Sequence, residues 1–113
     1  MIYYVQARLK EDRASELLRK LTDGSISGQR PDGPEIVASM ERAVISKELI
    51  VEWSEMCFCP TPLLHERSTV LDYHFDDIST DPIDAHETYT GLSFMEHLRN
   101  VTARRAEASS SVS

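Results

Sequence analysis

"RSTVLDYHFDD", residues 67–77, decides how the whole chain is read. Thr69, Leu71, Tyr73 and Phe75 alternate with Val70, Asp72, His74 and Asp76, and this two-residue period is the signature of a strand with one buried face. The pattern predicts a strand whose apolar side lies against helices and whose charged side faces away. Immediately upstream, "CFCPTPLLHER" at 57–67 carries Pro60 and Pro62, which fix their own φ and push Cys59 and Thr61 toward extended conformations. This predicts a stiff connection in which Leu63 and Leu64 reach a partner subunit, with His65, Glu66 and Arg67 as a hydrogen-bonded hinge against ligand or interface. Before it, "ELIVEWSEMCFC" at 48–59 reads as a second long strand. Leu49, Val51, Trp53, Glu55, Cys57 and Cys59 share one face, but neither face is cleanly apolar, so a mid-strand bulge is expected.

Working outward, residues 2–9 alternate, with Tyr3, Val5, Ala7 and Leu9 on one side of a strand. From Glu11 the period changes to that of a helix, with Ala14, Leu17, Leu18 and Leu21 on one stripe and Gly24 to end it. After a Gly/Pro-rich connection, Asp32 or Gly33 caps a second helix with Pro34 in its first turn. Ile36, Val37, Met40 and Val44 form its stripe, and it is expected to run to about Ser46. Downstream, "ISTDPIDA" reads as a turn-rich connection and "HETYT" as a short edge strand. Leu92, Met95, Leu98 and Val101 have helical spacing, with Ser93 as a cap. Residues 103–113 have little to bury and are expected to be a disordered tail after a single domain, 1–102.

The order β-α-α-β-β-(β)-α predicts an α+β fold: a largely antiparallel sheet of three to four strands with helices on one face. The arrangement is partially ferredoxin-like, with the first and third strands as parallel neighbours. The uncovered sheet face needs a partner, and a second copy of the chain is the simplest one, so a homodimer is expected.

With 41% hydrophobic and 27% charged residues the 113-residue chain has the make-up of a soluble globular domain. Nineteen acidic against twelve basic side chains give a net charge of −7, which argues against nucleic acid as a partner. No apolar run approaches a membrane span and the N-terminus lacks a signal pattern, so a cytoplasmic protein with reduced cysteines is expected, without membrane contact.

Two constellations carry possible chemistry. On the sheet face, Arg8 and Gln6 are expected beside Asp72 and His74, with Tyr4 and Glu52 lining the same ligand or interface surface. There His74 is the candidate general base, oriented by Asp72, which Arg8 keeps ionised. The other is a metal set, Cys57, Cys59 and His65 with His74 as a fourth ligand. One residue between the cysteines falls short of the two to four typical of structural zinc motifs, and this set ranks last. No cofactor is expected. The leading function is a homodimeric binding module enclosing a small molecule; the alternatives are a cofactor-independent acid–base enzyme and a metal-binding protein.

Overall fold

The structure, a computed structural model, describes residues 1–111, and side chains through Glu107. Strand β1 (Ile2–Leu9) forms where its alternation predicts and buries Tyr3, Val5, Ala7 and Leu9. A single 3-10 turn (Glu11–Arg13) leads into α1 (Ala14–Thr22), whose Ala14, Leu17 and Leu21 join the same core. Helix α2 (Gly33–Arg42) starts with Asp32 at its N-cap position and a proline in its first turn. A Cβ on Gly33 would lie 2.1 Å from the Ile26 carbonyl oxygen, so only glycine allows this close approach. The helix stops at Arg42, short of Ser46, because Val44 and Ile45 are drawn out as β2 (Val44–Ile45) against β3 (Ile50–Met56).

Residues 67–77 are not the expected strand. α3 (Leu64–Glu66), a π-helical turn (Arg67–Leu71) and α4 (Asp72–His74) form one irregular helical run over 64–74, and only from Phe75 does the chain extend into β4 (Phe75–Ile83). The reason is visible in burial. Glu66, Val70, Leu71 and His74 are buried, as suits a helix face, whereas Tyr73, which the strand reading placed inside beside Leu71, is exposed. Leu71 and Phe75 are four apart and satisfy both periods, so the alternation there is also a helical spacing.

β4 occupies the stretch expected to be a turn. It pairs antiparallel with β1, and its register slips between Gln6 and Arg8, where Asp77 takes a positive φ of 53°. The bulge is therefore here and not within β3. Pro82 is tolerated because β4 is an edge strand. "HETYT" forms no strand pairing among the described residues, and the last strand described is β5 (Leu92–Ser93). In α5 (Phe94–Ser111), Ser93 Oγ accepts the Glu96 N–H at 3.3 Å, and Met95, Leu98 and Val101 are buried, as their spacing predicts. Residues 103–111, within the expected tail, continue this helix, and Arg105 donates to the carbonyls of Asp12 and Glu11 at 3.0 and 3.3 Å. The last two positions of that tail lie outside the described residues.

The sheet has five strands, not three or four, in the order β4-β1-β3-β2-β5, and every pairing is antiparallel, including that of β1 with each of its neighbours. The expected parallel pairing is thus replaced. Val5, Trp53, Phe75 and Phe94 meet the helical side chains in one core, with Trp53 and Phe94 each packed on Phe75. Beyond β2, the free edge of β3 is closed by α2: Arg42 donates to the Ser54 carbonyl at 2.9 Å and Glu35 accepts the Met56 N–H at 2.7 Å. Side chains thus stand in for a neighbouring strand.

The reverse face of the sheet is not left open for a second copy along its whole length. The connection between β4 and β5 crosses it, with His86 Nδ1 2.8 Å from Ser54 Oγ and the Tyr89 ring edge-on to Tyr4 at 5.3 Å. Among the described residues no helix is long and apolar enough to cross a membrane.

Candidate functional site

The sheet-face set of Arg8, Asp72 and His74 does not assemble. Arg8 is exposed on β1 opposite Asp76, and Asp72 sits on the exposed side of α4, where it accepts from Arg67 Nε at 3.2 Å. His74 is 1% exposed on the helix-covered side, with Nδ1 lacking a hydrogen-bond partner among the described residues and lying 4.0 Å from Glu16 Oε2. Burial, helped by the nearby charges of Lys20, Arg13 and Lys10, pushes its pKa down to about 4 against the pull of Glu16. A neutral imidazole walled into a core has no substrate to serve.

Tyr4, Gln6 and Glu52 do come together. The Tyr4 hydroxyl donates to Glu52 Oε2 at 2.6 Å and lies 3.1 Å from Gln6 Oε1; burial and the Glu52 carboxylate push its pKa upward. Tyr89 covers this patch, which serves to hold the β4–β5 connection on the sheet.

A different constellation forms where β3 ends. Extended residues two apart share a face, so Cys57 and Cys59 point to one side while Phe58, 86% exposed, points to the other. The chain then turns through Pro60 and Pro62 to Leu63, which adopts a left-handed φ of 56°. That conformation costs a leucine on the order of 1–3 kcal/mol. It is held by complete burial of the side chain, so Leu63 serves its own core and not a partner subunit, whereas Leu64 is 53% exposed.

The left-handed turn reverses the chain into α3 and brings Glu66 back beneath the two cysteines. Cys57 Sγ lies 3.7 Å and Cys59 Sγ 3.9 Å from Glu66 Oε2, and the three ligand atoms lie within 4.8 Å of one another. The Cys59 N–H also donates to Cys57 Sγ at 3.2 Å, an arrangement that favours a sulfur bearing negative charge. His65, the third ligand in the sequence reading, is engaged elsewhere: its Nδ1 lies 2.5 Å from Asp32 Oδ2.

These atoms form the floor of a cleft of about 290 Å³. Pro31, Met56 and Phe58 make its apolar walls, and Asp32 and Glu35 its acidic side. Negative charge is in excess. Asp32 is 9% exposed and Glu66 1% exposed; Asp32 Oδ1 has no hydrogen-bond partner among the described residues. Burial, with Asp32 alongside, raises the Glu66 pKa, and burial also pushes the Cys57 thiol up to about 11. Two residues upstream of Cys57, Glu55 is fully buried, with one oxygen accepting from Trp53 Nε1 at 2.8 Å and the other without a partner among the described residues. Its burial, with Glu66, Glu35 and Asp32 nearby, raises its pKa to about 8. The Glu35–Arg42 ion pair at 3.6 Å and the Asp32–His65 contact offset part of this charge.

Sequence reasoning joined Cys57 and Cys59 in one metal set but gave them His65 in place of Glu66, and it read Asp32 only as a helix cap. One signal was available: Glu55 occupies a core-facing strand position between Trp53 and Cys57, and a buried acid needs a partner. No family model, curated protein or solved structure matches this chain.

Proposed function

We propose that this protein binds a divalent transition-metal ion of the zinc class through Cys57, Cys59 and Glu66. The observation that carries the reading is distance. An ion bound tetrahedrally by thiolate and carboxylate at ordinary bond lengths needs S···O separations of about 3.6 Å. The two found here are 3.7 and 3.9 Å. Thiolate sulfur selects borderline-soft ions over magnesium or calcium. Asp32, bonded to His65 and lying against Glu66, adds a negative charge that disfavours an ionised Glu66 in the free protein and attracts a cation to it. The fold is read as a ferredoxin-like unit with β5 added at one edge; the order β4-β1-β3-β2, with helices in both crossovers, supports this.

Titration of the reduced protein with Co²⁺ tests the function, because cysteine thiolates bound to cobalt give a charge-transfer absorption and tetrahedral geometry gives intense visible bands. Both are expected, and excess Zn²⁺ should displace them. Cys57→Ser, Cys59→Ser and Glu66→Gln should each weaken binding by about 100-fold, the share of one ligand in a typical zinc-site affinity. A wild-type protein without these bands, or cysteine variants that bind as well as it does, would overturn the reading.

A further inference from the structure

Three protein ligands leave one tetrahedral position unfilled, the arrangement of zinc sites that receive an exogenous ligand, in contrast to the four protein ligands of structural sites. Here the three ligand residues line a cleft that opens to solvent, together with the apolar Pro31, Met56 and Phe58 and the acidic Asp32 and Glu35. Met56 is 37% and Phe58 86% exposed, a degree of exposure that costs free energy in water and is relieved when an apolar body covers them. Charge decides what the donor atom is. Two thiolates and a carboxylate already exceed the ion's two positive charges, and Asp32 and Glu35 stand beside them. A further anion is repelled, so the incoming donor is neutral. Asp32, nine-tenths buried against the Glu66 carboxyl, loses any proton shared with Glu66 when Glu66 takes the ion, and its Oδ1, which has no other donor among the described residues, is then free to accept an N–H or O–H from that same ligand.

Taken together, the geometry points to a small neutral nitrogen ligand with an apolar body, an amine or imidazole bearing an aryl or alkyl group, that binds the ion through its lone pair. The apolar body rests on Met56, Phe58 and Pro31, and an N–H of the head group donates to Asp32. This rests on the metal reading above.

Three probes added to the Co²⁺-loaded protein separate the two ideas: 4-phenylimidazole, imidazole and phenylacetate. The visible cobalt bands should shift with 4-phenylimidazole at a concentration about 10-fold lower than with imidazole, reflecting burial of the phenyl ring. Phenylacetate should leave them unchanged. Phe58→Ala, a change at an exposed side chain, should bring 4-phenylimidazole to within about 3-fold of imidazole while the cobalt bands themselves persist. If cobalt bands form but 4-phenylimidazole binds no better than imidazole, or phenylacetate binds as well as either, the ligand assignment fails and the metal site stands. If no cobalt bands form, both fail.

Discussion

Helix 64–74 buries an ionisable side chain near each end, and the two ends surround it with charge of opposite sign. Glu66 sits among other acids and two thiols at the floor of a cleft, whereas His74 sits under Lys10, Arg13 and Lys20 with one carboxylate at 4.0 Å. Both are 1% exposed, so burial alone does not distinguish them. What differs is access and the sign of the surrounding charge. At Glu66 like charges converge beneath an opening and disfavour its ionised form, and a cation entering through that opening would reverse this. At His74 the surroundings disfavour the charged form, and the group stays neutral inside the core. A buried titratable side chain marks a site only where something can reach it.

The comparison breaks most visibly with pH. His74 titrates near 6.5 in an unfolded chain and near 4 in the folded one, so between these values the unfolded state binds more protons. Its contribution is fully present above about pH 6.5 and is lost as pH falls through 4. The loss is about 3 kcal/mol. Glu55 and Glu66, whose pKa values are raised by burial, give the opposite slope over much of this window, so the His74 contribution is read as the difference between the wild type and His74→Leu in urea unfolding. The variant should lose less stability, or gain more, toward acid, and identical pH profiles would place the acid sensitivity elsewhere.

At the other end, Asp32→Asn keeps a side chain of the same shape next to His65 but removes a negative charge beside Glu66. Competition against a chelator should show Zn²⁺ binding weakened about 10-fold as the attraction of that charge for the ion is lost. Unaltered affinity would make Asp32 a bystander. The smallest effect is expected at Glu16, which is 38% exposed, so its field at His74 is screened by solvent. Glu16→Gln should change stability at pH 7 by less than about 0.5 kcal/mol. A larger loss would mean that the His74 end is organised by an ion pair after all.

Legibility in the sequence followed how local the deciding interaction is. β1, α1, the start of α2 and the buried stripe of α5 were all readable, because each has a single clear period and a cap or stop residue at an end. β4 was not. Its Asp-, Ser- and Pro-rich sequence has the composition of a turn, and it is a strand because the edge of β1 offers it hydrogen bonds. The site was half readable: the pairing of Cys57 with Cys59 follows from extended geometry alone, but Glu66 joins them only through the turn at Leu63.

By itself the sequence determined an α+β chain with a net charge of −7, and which residues seek burial, since hydrophobic spacing and capping act within a few residues of one another. The folded molecule alone decided that 67–74 coils before 75–83 extends. Leu71 and Phe75 are spaced for either state, and the choice depends on whether the neighbouring surface buries Val70 and His74 or Tyr73. The same holds for the cleft. Charges that lie far apart along the chain become one site only when packing forces them together, and no local pattern records that cost.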